Sequence, residues 1–149
     1  MKKILTSILI VILVGALYFF VFVFHKDKDI SLSFGSMKLC NTQVSYGLAD
    51  SDNERKRGLS GRSGISEGEG LLFVFKEPTI PSFWMKDMNF PIDIVWIDEN
   101  KKIVDITEDF SIDSYPQTKS PVSKISYALE VRSGFAKDHH CIIGSAVEF

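Results

Sequence analysis

Ile92-Asp93-Ile94-Val95-Trp96-Ile97, then Asp98-Glu99-Asn100-Lys101, then Lys102-Ile103-Val104-Asp105-Ile106-Thr107 reads as strand, turn, strand. β-branched and aromatic side chains fill both runs, each run is too short for a stable helix, and the four polar residues between them suit a hairpin connection. Working outward, Leu71-Leu72-Phe73-Val74-Phe75, bounded by Gly70 and Pro78, is predicted to be a strand buried on both faces. Ser82–Lys86 and Ser126–Val131 read as further strands. Alternation of apolar residues with Ser and Gly adds half-buried strands at 30–34 and 44–48, and Ala146–Phe149 reads as a closing strand. Ser51 with Glu54 three residues on is a capping-box pattern, so a short helix is expected from Ser51 to Gly58 or Gly61, with at most one more over Ser133–Asp138. Residues 61–70 and 108–123 read as loops. The expected fold is mainly β, a β-sandwich or open barrel with one or two short helices.

The first residues belong to a different regime. Ile4 to Phe24 carries no charged residue, with Lys2-Lys3 before it and His25-Lys26-Asp27-Lys28 after it. At about 1.5 Å per residue such a helix covers roughly 31 Å, against about 30 Å for a bilayer core. A cleaved signal peptide has a shorter apolar region and a small-x-small site. Val14-Gly15-Ala16 is the one candidate, and cleavage there would leave Leu17 to Phe24 exposed. The expectation is an N-terminal transmembrane anchor at 1–24, a charged linker at 25–29 and an extracytoplasmic domain at 30–149, placing the protein on a cell membrane through residues 4–24. The chain of 149 residues has a net charge of −2, 24% charged residues and no basic run, which argues against a nucleic-acid partner and against disorder.

Chemistry is sparser. In a strand, Trp84 and Lys86 share one face, and together they could form a cation–π platform for a ligand ring; core packing of the aromatics is the plainer account. Asp93 has apolar strand neighbours, so its carboxylate is expected near the core edge, answered by a cation (Arg57, Arg62 or Lys86) or by several N–H donors. Arg57-Gly58 suits a helix C-terminus. His139, His140 and Cys141 lack metal-ligand spacing, so no cofactor or metal is expected. Cys40 and Cys141 are the only cysteines; in an oxidising compartment they could bridge, and otherwise they are two buried thiols.

The ordered set Arg57-Gly58-Leu59-Ser60, Gly68 to Phe75, Phe83-Trp84-Met85-Lys86, Pro91-Ile92-Asp93-Ile94, Ile97-Asp98 and Ala128-Leu129-Glu130-Val131 resembles the domain of unknown function 192 family, over about Val44 to Phe149. The resemblance implies a small, mainly β domain, commonly behind a signal peptide or membrane anchor in bacteria and archaea. Arg57, Trp84, Lys86 and Asp93 fall on its signature positions. The chain departs from it at Asp87, where members often have Asn, and at Ser145, where they often have Asp.

Three functions are consistent with these residues. The first is an envelope module binding a glycan or peptide in a pocket lined by Arg57, Trp84, Lys86 and Asp93. The second is a hydrolase of envelope material with Asp93 as general base. The third is a structural interaction module of a membrane complex, which would expose an apolar patch.

Overall fold

The computed structural model describes residues 35–149; the expected anchor, the linker and the expected strand at 30–34 lie outside the described residues. The described chain is mainly β, with eight strands and two short helices. Its strands are β1 (Gly35–Leu39), β2 (Thr42–Ala49), β3 (Glu69–Thr79), β4 (Phe83–Trp84), β5 (Ile92–Ile97), β6 (Ile103–Phe110), β7 (Thr118–Lys119) and β8 (Ile125–Arg132). Helix α1 covers Asp52–Arg57 and α2 covers Phe135–Asp138. Six strands make one open mixed sheet in the order β1-β2-β3-β8-β5-β6, while β4 and β7 pair as a separate ribbon.

All six residues of β5 are buried, and their alternation explains how the sheet is covered on both sides. Ile92, Ile94 and Trp96 pack with Leu71, Phe73 and Ala128 on one face. On the other, Val95 and Ile97 pack with Leu72, Leu129 and Val131. The second face is closed by β1, α2 and the C-terminal segment. Ala146 bridges to Lys102 and Glu148 to Lys38, so both edge strands bond to that segment. A disulfide joins Cys40, just after β1, to Cys141, just after α2.

The first face is covered differently, by α1, the loop after it and the β4–β7 ribbon. Ser51 starts α1 with both halves of a capping box: Glu54 N–H donates to Ser51 Oγ at 3.3 Å and Ser51 N–H donates to Glu54 Oε2 at 3.0 Å. Gly58 ends the helix at φ 51°, a conformation that favours glycine. The connection from β2 through α1 brings the chain back to make β2 and β3 parallel, the one parallel pair in the sheet.

Several boundaries differ from the sequence reading. Strand β3 continues past Pro78 because its register with β8 is irregular between Val74 and Thr79, which leaves the proline outside the ladder. Strand β4 is only two residues long, and its partner β7 lies within the stretch expected to be loop. The closing C-terminal strand is reduced to isolated bridges.

Candidate functional site

A cleft of about 250 Å³ opens on the first face, between α1, β3, β4 and β8. Its floor is built by register. Glu130 of β8 stands opposite Leu71 of β3 and Ile94 of β5, in the middle of an apolar sheet face. Gly58 brings the end of α1 over this carboxylate: a Cβ there would sit 3.5 Å from Glu130 Oε2 and 3.5 Å from the Phe73 ring. Glu130 is only 5% exposed, and its Oε2 has no hydrogen-bond partner. Burial pushes its carboxyl up to about 8, only partly offset by the Leu59 backbone N–H that donates to it. Glu130 is therefore a neutral acid at pH 7, able to donate a hydrogen bond or to give up its proton to a site where water is scarce.

The walls are aromatic. Phe73 and Phe75 come from β3, Phe83 and Trp84 from β4, and Met88 from the turn beyond. Phe83 packs at 4.7 Å from Phe73 and 5.0 Å from Trp96, which fixes its ring. Trp84 is 47% exposed, so it is a cleft wall and not a core side chain. The rim is basic. Arg55 is committed to the wall: it donates to the carbonyl of Val74 at 2.9 Å and to Asp52 Oδ1 at 2.6 Å, and its guanidinium lies 5.8 Å from the Phe75 ring centroid. Lys56 and Arg57 also line the cleft, are exposed, and make no ion pair with another described residue.

The loop after α1 is stitched to the residues following β4. Ser60 Oγ donates to the Lys86 carbonyl at 2.8 Å, Gly61 N–H to the Asp87 carbonyl at 2.8 Å, and Asn89 Nδ2 to the Arg62 carbonyl at 2.8 Å. Asp87 holds φ 56°. Asn and Asp are the non-glycine residues that adopt this conformation most readily, so Asp87 suits the turn.

Of the residues singled out from sequence, Arg57 and Trp84 meet at the cleft. Lys86 is exposed but does not line it. Asp93 is on the opposite face, opposite Val131 in the ladder, and is fully buried. Its Oδ1 accepts from the N–H groups of Asp109 at 2.8 Å and Gly134 at 3.2 Å, and its Oδ2 from Ala136 N–H at 2.9 Å. Backbone donors, not Arg57, Arg62 or Lys86, thus answer its charge, because the end of β6 and the start of α2 converge on it. Arg132 ties the same corner down, donating to Asp138 Oδ2 at 2.7 Å and holding that carboxyl below the usual range.

Glu130 is the functional candidate that side-chain reasoning passed over. The signal was present: a carboxylate between Leu129 and Val131 in an apolar strand, which is the argument that drew attention to Asp93. Among the described residues no group of three or more His, Cys, Asp or Glu side chains could hold a metal ion, and no helix is long and apolar enough to cross a membrane.

The family model DUF192, described as Uncharacterized ACR, matches residues 36–149, and the chain belongs to that family. Two solved structures share the fold. One is a Sinorhizobium meliloti 1021 protein whose name proposes a role as a transcription regulator, 23% identical, with a TM-score of 0.71, covering 79% of this chain and 96% of its own. The other is a protein of unknown function from Novosphingobium aromaticivorans DSM 12444, 21% identical, with a TM-score of 0.67, covering 76% of this chain and 82% of its own. No curated protein matches the chain.

Proposed function

We propose that this member of the DUF192 family is a membrane-tethered, extracytoplasmic ligand-binding module that takes a small glycan or peptide group into the cleft between α1, β3, β4 and β8. The observation that carries this reading is Glu130 Oε2, buried without a partner in the wall of an aromatic cleft. An unanswered buried polar atom costs stability, and a binding site is where such a cost is recovered, when a ligand supplies the missing partner. The size is informative as well: about 250 Å³ suits one sugar ring or a dipeptide-sized group, less than the usual volume of a drug-sized site. Support for placement comes from the Cys40–Cys141 disulfide, since such bonds persist in oxidising compartments, and from the apolar stretch at 4–24. Catalysis by Asp93 finds no support in its surroundings, because both carboxylate oxygens are occupied by backbone donors and sealed from solvent.

Fluorescence tests the reading directly, because the chain has two tryptophans and only Trp84 is exposed; Trp96 is buried. Full-length protein in detergent is titrated with N-acetylglucosamine and with short peptides. A saturable change in emission that disappears in Trp84→Phe is expected. Absence of any saturable change across both ligand classes overturns the proposal.

A further inference from the structure

The cleft has a chemical polarity that narrows its occupant. At the inner end sits one carboxyl oxygen without a partner, 5% exposed as a residue, beside the Phe73 ring. At the outer end sit Lys56 and Arg57, two cations with no ion-pair partner among the described residues. We infer that the cleft is an amino-terminus subsite, in which Glu130 receives the ammonium group of a short peptide whose carboxylate end lies toward Lys56 and Arg57. This rests on the cleft being a ligand site, and deepens that reading by naming the class of ligand.

Three features favour an ammonium over a sugar hydroxyl at the inner end. Aromatic faces next to a carboxylate are the setting in which a cation is held, by the ring quadrupole as well as by the opposite charge. Rings line the cleft: Phe73, Phe75, Phe83 and Trp84. Next, only one oxygen of Glu130 lacks a partner, the carboxylate already accepting from Leu59 N–H; a single unpartnered acceptor suits one N–H donor better than the paired donors and acceptors of a sugar edge. Finally, the free charges at the rim are both positive, and a peptide with free ends presents its negative charge on the side away from its ammonium. Repulsion between the rim and the entering ammonium is weakened by solvent, whereas attraction inside the cleft is not.

The proton balance gives the inference a signature. In the empty protein Glu130 holds its proton at pH 7, so accepting R–NH3+ turns the carboxylic acid into carboxylate and releases one H+ to the buffer. The charged groups that line the cleft with it come from α1 and are Asp52, Arg55, Lys56 and Arg57; β3 and β4 present only aromatic side chains to the cleft, and Ile94 of β5 is its neighbour in the ladder. Release of one proton makes binding tighten by about tenfold per pH unit from pH 6 to about 7, and because a peptide α-ammonium loses its own proton at about 7.7–8.0, binding passes through a maximum at about pH 8 and weakens above it.

Calorimetry with full-length protein and the dipeptide Phe-Ala, run in phosphate and in Tris, measures proton release from the difference in apparent enthalpy. The expected result is close to one proton released per peptide at pH 7, at least tenfold weaker binding in Glu130→Gln, and loss of the tightening between pH 6 and 7 in that variant. A cooperative thermal melt is the check that Glu130→Gln is folded. N-acetyl-Phe-Ala, which lacks the ammonium, is expected to bind at least tenfold more weakly than Phe-Ala to the unmodified protein. Equal binding of the two peptides, or retained affinity in Glu130→Gln, overturns the ammonium assignment and leaves Glu130 a neutral hydrogen-bond partner, with the cleft still a ligand site. If Phe-Ala fails to bind while N-acetylglucosamine binds, the peptide assignment falls alone; if neither binds, the ligand site falls with it.

Discussion

Asp93 and Glu130 lie on adjacent strands of one sheet, one residue apart in register, and both are buried, yet they do opposite things. Asp93 points to the face closed by α2, and three backbone N–H groups converge on it. Glu130 points to the face covered by α1 and keeps an oxygen without a partner. Burial alone therefore does not identify a functional acid. What separates the two is whether the chain folds its own donors onto the carboxylate: the end of β6 and the start of α2 close on Asp93, whereas the loop after α1 offers Glu130 only Leu59 N–H and leaves a cleft beside it. One face of the sheet is built to be sealed and the other to be entered.

The largest effect should come from breaking the sealed face at its fastening. The Cys40–Cys141 disulfide spans 101 residues of sequence, and in the chain-entropy model a loop of that length is worth about 4–5 kcal/mol. The double variant Cys40→Ser/Cys141→Ser should lower the denaturant midpoint by the equivalent of a few kcal/mol, measured by equilibrium unfolding. A loss below about 1 kcal/mol would mean that the second face does not depend on its staple. Asp93→Ala comes next. It strands three N–H donors, one buried and two part-buried, at roughly 1–3 kcal/mol for a buried one and less for the others, so a loss of about 3 kcal/mol is expected. If Asp93→Ala melts like the unmodified protein, the contrast between the two carboxylates collapses.

Glu130→Gln sharpens the contrast through its sign. With a folded-state value raised to about 8 and an unfolded value near 4.5, the native state holds a proton that the unfolded chain has released between those pH values. The stability associated with this group is present in full below about pH 4.5 and is lost as the pH rises through about 8. Gln has no such dependence. The variant should match the unmodified protein near pH 4.5 and become more stable than it by an amount on the order of a few kcal/mol at pH 8, as read from melting at both pH values. Equal stability at pH 8 would show that the Glu130 carboxylate is better solvated than its burial implies.

Period-two alternation made the elements of this fold legible, and capping chemistry placed α1 to within a residue of Ser51. Pairing was less accessible. The β4–β7 ribbon rests on two-residue strands, too short for alternation to register, and the parallel β2–β3 pair depends on where a connection returns, which local pattern does not encode. The site divides the same way. Arg57 drew notice at a helix end and Trp84 by sharing a strand face with Lys86, but whether Trp84 would face core or cleft was not legible. Asp93 and Glu130 carry the same local signature, an acid in an apolar strand, and what distinguishes them is contributed by residues far away in sequence: Gly134 and Ala136 for Asp93, Gly58 and Leu59 for Glu130. No reading of one strand could tell sealed from open.

Trp84→Ala gives the smallest expected change in stability and for that reason isolates the open face. A side chain that is 47% exposed recovers little from burial, so truncation should cost within about 1 kcal/mol by denaturant unfolding. The packing of Phe83 against Phe73 and Trp96 does not involve it and should hold the ribbon in place. Its contribution is to the ligand, as one wall of the cleft, so binding of Phe-Ala should weaken by about tenfold while the melting temperature moves by only a few degrees. A large drop in stability would make Trp84 part of the core after all, and the first face would then be as sealed as the second. A stable variant with undiminished affinity would instead place the ligand deeper, against Phe73, Phe83 and Glu130 alone.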